Sequence, residues 1–120
     1  MESSGILDAR RRRAARNQSL FRAANERLEN VNESFRLVLE QMDFACECID
    51  MGCTTAIRLT IPEYEAIRGH PNRFFVARGH ELDDVERTVE EVRDFVVVEK
   101  LGGGDEVARN ADPRGNGDVN

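Results

Sequence analysis

Apolar residues recur at alternating intervals of three and four along the first third of the chain, at Phe21, Ala24, Leu28, Val31, Phe35, Val38 and Met42. Residues 6–42 contain neither Pro nor Gly and are rich in Ala, Arg, Glu and Leu. Both features predict one long amphipathic helix from residue 6 to about residue 42. In heptad terms Phe21, Leu28, Phe35 and Met42 take one seam position, and Ala24, Val31 and Val38 the other. Such a stripe serves a coiled coil, docking to a partner helix, or packing on the helix's own domain. The flanking Asn25, Asn32, Arg27 and Ser34 do not form complementary ion pairs and leave the choice open. A helix of that length spans about 54 Å, more than a domain of about 60 residues covers. At least its first half is therefore expected to find a partner, as a homodimer or with an unknown protein, or to stay solvated.

From residue 43 the periodicity changes. Residues 44–48 read as a short strand, followed by an Asp50-Met51-Gly52 turn. Residues 54–61 alternate, with Ile57, Leu59 and Ile61 on one side and Arg58 and Thr60 on the other, as in a half-buried strand. Thr60-Ile61-Pro62-Glu63 is a capping box that opens a short helix to about Arg68, and Gly69-His70-Pro71 ends it. Residues 73–77 form another strand. Residues 85–92 suit a helix through Val85, Val89 and Val92. They equally suit one arm of a hairpin that turns at Arg93-Asp94 into the strand Phe95-Val96-Val97-Val98. The tail from Gly102, rich in Gly, Asp and Asn, is expected to be disordered. The expected class is α+β: a long N-terminal helix (1–42), a small, mostly antiparallel sheet with one short helix (43–101), and a tail (102–120).

The chemistry is concentrated in one place. The chain's three cysteines, Cys46, Cys48 and Cys53, lie within eight residues. A C-x-C-x4-C run followed by histidines resembles most of a structural zinc site, which takes four Cys or His ligands in a tetrahedron. Gly52 beside Cys53 lets the backbone fold tightly round an ion. His80 and His70 compete to be the fourth ligand. His80 returns to the cysteines if strand 73–77 runs antiparallel to strand 54–60, and His70 suits the parallel case. His80, in a turn loosened by Gly79, is the better fit; Asp43, Glu47 and Asp50 are substitutes. The alternatives are three buried core cysteines or redox-active thiols. Acidic neighbours disfavour a reactive thiolate.

Composition narrows the function. Aromatics are 6% of the chain and Trp is absent, so a small aliphatic core would gain from a metal staple. The net charge is −6, yet residues 1–24 hold six Arg against Glu2 and Asp8. Arg10, Arg11, Arg12, Arg13 and Arg16 are the only candidates for nucleic-acid contact, and the acidic remainder argues against that use. No stretch is long and apolar enough for a membrane span, and no signal pattern opens the chain, so a cytoplasmic location is expected. Gly102-Gly103-Gly104 lacks the basic residue of a phosphate loop. No nucleophile–base constellation stands out. The expected function is a non-enzymatic, zinc-stapled interaction or regulatory module. A nucleic-acid regulator, or a small metal-dependent or thiol enzyme, is the alternative.

Phe44-Ala45-Cys46-Glu47-Cys48, Cys53, Leu59-Thr60 with Glu63-Tyr64-Glu65, Arg73-Phe74, Gly79-His80 and Val97-Val98-Glu99-Lys100 together resemble a group of short actinobacterial proteins. The likeness spans about residues 20–101. It implies a bacterial source and a helix rich in Asn and Glu ahead of the cysteines, and no activity. Pro often precedes the Gly-His pair in that group, where this chain has Arg78.

Overall fold

A computed structural model describes residues 2–31 and 41–114. Its elements are α1 (Glu2–Val31), β1 (Gln41–Ala45), β2 (Ala56–Thr60), α2 (Ile61–Arg68), β3 (Arg73–Ala77), β4 (Glu86–Val92), β5 (Phe95–Lys100) and α3 (Gly103–Asn110). The architecture is α+β: a long N-terminal helix, two small antiparallel sheets and short helices. β1 and β2 form a hairpin, and the second sheet runs β3-β5-β4.

Local rules account for most of this. Thr60 Oγ1 accepts from Glu63 N–H and Glu63 accepts from Thr60 N–H in return, so the capping box starts α2 where the sequence places it. β4 and β5 turn at Arg93-Asp94, which decides residues 86–92 for the strand. In β3, Phe74, Phe75 and Val76 are all buried, because the sheet is covered on both faces. On one face Phe75 meets the stacked rings of Phe44 and Tyr64 and the edge of Phe95. On the other, Phe74 lies under the Arg22 guanidinium of α1, 4.6 Å from its ring centre.

Three expectations are corrected. Gln41 and Met42 belong to β1, not to the helix, and Met42 is buried in the core. Phe35 and Val38 lie outside the described residues. Within α1 the buried line is Ala15, Gln18, Arg22, Asn25 and Glu29, one residue out of step with the predicted stripe. At 100° per residue that shift turns Leu28 outward and leaves Ala24 at the border of the buried face. Phe21 and Ala24 are half-buried, and Leu28 is 40% exposed. Thus the face of α1 that packs inward is mostly polar.

The third correction is α3, which forms where the tail was expected to be disordered. Its first residues pack against α1. Asp8 Oδ1 accepts the Gly103 N–H at 2.7 Å and so caps α3 from another helix. A Cβ on Gly104 would stand 2.8 Å from the Arg11 carbonyl oxygen, so only glycine permits this approach. Beyond α3, Asp112 meets Arg68, and the Arg114 guanidinium binds Glu26, Glu29 and Glu65.

Candidate metal centre

Two short loops build the centre. The first leaves β1. Cys46 N–H donates to Thr55 O and extends the hairpin ladder by one rung, and Glu47 N–H then donates to Phe75 O on β3. The chain therefore steps from one sheet to the other within two residues. It turns back at Asp50, whose side chain accepts Gly52 N–H and whose carbonyl accepts Cys53 N–H. The second loop leaves β3, with His80 N–H closing a turn on Ala77 O across Gly79, at φ +90°.

These loops bring Cys46, Cys48, Cys53 and His80 together, with one ligand atom from each lying within 4.8 Å of all the others. His80 Nδ1 is 3.5 Å from Cys46 Sγ and 3.6 Å from Cys53 Sγ. Tetrahedral zinc, with Zn–S about 2.3 Å and Zn–N about 2.0–2.1 Å, requires an S···N edge of about 3.6 Å. The two observed edges meet that requirement. Cys46 Sγ also accepts the Ala77 N–H at 3.2 Å, the outer-shell bond that a thiolate ligand uses.

Cys46 and Cys48 are buried and Cys53 is partly exposed. Burial pushes the Cys46 and Cys48 thiols up from their ordinary range. At Cys53 burial works in the same direction, but hydrogen bonds from Thr55 and the neighbouring cysteines outweigh it and hold the thiol below its ordinary value. Three thiols so close repel as anions, and a dication removes that conflict while taking their protons.

His70 is not part of this group. It lines a cavity of about 260 Å³ with Ile67, Arg73, Val92, Phe95 and Val97, and none of the four clustered residues lines that cavity. The substitute ligands are committed elsewhere: Asp43 pairs with Arg58 and Asp50 holds its own turn. Glu47 points away from the sulfurs. It is fully buried, accepts Asn25 Nδ2–H at 2.8 Å and Phe75 N–H at 3.3 Å, and burial raises its carboxyl to about 7. Arg78 ties the His80 turn to the β4–β5 hairpin through Arg93 O and Glu91.

Sequence reasoning missed Asn25, which lies behind the centre. Its amide donates to Ala45 O and its oxygen accepts Ala45 N–H, just before Cys46. Asn25 was legible only as a polar residue beside the predicted stripe. Of the basic residues, Arg10 pairs with Asp84, Arg11 donates to Asp84 O, and Arg12 bridges Asp8 and Glu106. Arg13 and Arg16 are exposed. Among the described residues no helix is long and apolar enough to cross a membrane.

The fold and this site define a small α+β protein with a Cys3His cluster able to coordinate a metal ion. No protein-family model, curated protein or solved structure matches the chain. The resemblance to short actinobacterial proteins therefore rests on the quoted residues alone.

Proposed function

We propose that the chain is a non-enzymatic module in which a structural zinc, held by Cys46, Cys48, Cys53 and His80, locks the two sheets together while α1 offers its outer face to a partner. The observation that carries the metal assignment is the convergence of the four ligand atoms within 4.8 Å of one another, with both measured His80–sulfur edges at the tetrahedral length. Four protein ligands close the coordination sphere, which is the arrangement of a structural rather than a catalytic zinc. The position of the site supports the same reading, because its ligands sit where the chain crosses between sheets.

The partner reading rests on α1. Ile6, Leu20 and Leu28 are 71%, 59% and 40% exposed, and they share a side with the exposed Arg13, Arg16 and Arg27. A second copy would set these arginines against their own kind, so an acidic partner helix suits the face better than a homodimer. The nucleic-acid alternative is weaker, since Arg10, Arg11 and Arg12 are held by the protein's own acidic groups and carbonyls.

Elemental mass spectrometry of purified protein, beside a Cys48→Ser variant, tests the metal. About one zinc per chain, lost in the variant, is the expected result. Freshly reduced protein without metal would overturn the assignment and leave three buried thiols.

A further inference from the structure

The chain contains sixteen Arg and a single Lys, Lys100. Arginine is the usual choice for a buried ion pair, because its planar fork is weakly hydrated and makes several fixed bonds. Yet the one lysine occupies an enclosed position beside β4. Its side chain has no exposed surface, and that of its partner Glu86 is 2% exposed. The feature that lysine has and arginine lacks is an amine that becomes nucleophilic when it loses its proton.

The contacts of that amine are specific. Lys100 Nζ lies against Gln18 Oε1 and 2.9 Å from Glu86 Oε1. The same Glu86 oxygen is 3.0 Å from Gln18 Nε2. One carboxylate thus touches both the amine and the amide nitrogen of a carboxamide. The remaining groups fix this arrangement. Gln18 Nε2 also donates to Glu47 O at 3.0 Å, which sets which end of the amide faces the lysine. The second Glu86 oxygen accepts Leu82 N–H at 3.0 Å. Gln18 is fully buried.

We propose that Lys100 and Gln18 condense to an intramolecular isopeptide bond, with Glu86 carrying the proton. The Nζ lone pair attacks Cδ of Gln18, so the Nζ–Cδ bond forms. Glu86 takes a proton from Nζ and delivers one to Nε2. The Cδ–Nε2 bond then breaks and ammonia leaves. A primary amide and an amine become a secondary amide and ammonia, so atoms balance and no oxidant or cofactor is required. Burial favours the uncharged amine that the step needs, since it holds the lysine below its ordinary range against the pull of Glu86. An amine hydrogen-bonded to a carbonyl oxygen stands within about 4 Å of the carbonyl carbon, and holding it there replaces an encounter in solution. The product would tie α1 to the end of β5 across 82 residues of sequence, a covalent staple on the sheet face opposite α2.

The single lysine makes the test direct. Wild-type protein is denatured, weighed intact, and digested with a protease that cuts only after lysine. The expected protein is lighter than its sequence by one ammonia, about 17 Da, and resists cleavage after Lys100. Tandem spectra of a second, tryptic digest should place the loss in a branched peptide joining Gln18 to Lys100. Glu86→Gln and Gln18→Ala should keep the full mass and be cut. Wild-type protein at its full sequence mass overturns the proposal. So does a lighter protein that is still cut after Lys100, because the loss then lies elsewhere. Both of these outcomes are read on the wild type and do not depend on a variant's folding.

Discussion

The two sheets are held at one end by a cluster of soft ligands and along one face by a polar seam, and the two regions solve the same problem in opposite ways. At the cluster, four groups bring one ligand atom each within 4.8 Å of the others, and a single ion would satisfy all of them. Along α1, Gln18, Arg22, Asn25 and Glu29 are buried where an apolar stripe would be conventional, and each finds separate partners on different elements. Arg22 alone donates to Pro71 O and Ala108 O while covering Phe74. With an ion bound, the cluster would concentrate its stability in one removable component. The seam distributes it over many hydrogen bonds that fail one at a time.

The largest effect should follow removal of the metal. If the proposed zinc is bound, a chelator, or Cys48→Ser, would free the crossing from β1 to β3 and leave the clustered thiols without their ion. Binding free energy that a folded site gains is folding free energy, about 10 kcal/mol or more for small zinc domains, though here the second sheet retains its own core. We expect the midpoint of thermal unfolding to drop by more than in any seam variant. Unchanged unfolding after complete chelation would show that the seam suffices.

The seam should break next. Arg22→Met removes the donors that satisfy the buried Ala108 carbonyl and the half-buried Pro71 carbonyl and should cost about 2–4 kcal/mol in denaturant unfolding. Asn25→Ala removes three bonds around Ala45 and Glu47 and should cost about 2–3 kcal/mol. Its further value lies in zinc retention. Asn25 holds the residue before Cys46, so a faster loss of zinc in this variant would connect seam and cluster, and equal retention would separate them.

The contrast also explains what could be read in advance. The cluster was legible because its three cysteines share eight residues, and the capping box at Thr60 and the turn at Arg93 are equally local signals. The preference for His80 over His70 followed from the Gly79 turn; the two cases weighed for strands β2 and β3 both drop out, since the two lie in different sheets, and the crossing at Glu47 is what brings the two loops together. The seam was illegible because its partners lie far away, Gln18 with Lys100 and Arg22 with Ala108. Hydrophobic periodicity pointed to a neighbouring side of the same helix, about 100° away. α3 was missed for a related reason: its glycines matter through what they admit, the Arg11 backbone, and not through any side chain of their own.

A smaller effect should appear with pH at the far end of the seam. Burial and the neighbouring Glu65 raise the Glu29 carboxyl to about 7, against the pull of Arg114. The folded chain therefore holds this proton more tightly than the unfolded one. Its contribution to stability is complete below the ordinary carboxyl range near 4.5 and is lost as pH rises through about 7. Glu29→Gln should flatten the decline in stability between the ordinary 4.5 and about 7, the window of that shift. An unaltered slope would mean that Glu29 is already ionised in the folded chain.

The smallest effect on stability is expected on the outer face of α1, and it bears most directly on function. Leu20→Asp with Leu28→Asp alters two exposed side chains and should leave unfolding within about 0.5 kcal/mol of wild type. If the inward seam is the helix's whole purpose, these changes are silent in every assay. If the outer face docks a partner, they should abolish binding of an acidic amphipathic helical peptide while zinc content and unfolding stay unchanged. Sedimentation of the wild type separates the remaining case. A dimer that the double variant converts to monomer would mean that a second copy occupies the face despite Arg13, Arg16 and Arg27. A helix that buries Gln18, Arg22, Asn25 and Glu29 has committed their hydrogen bonds to its own fold, and Leu20 and Leu28 among exposed arginines are what its outer face can offer to another molecule.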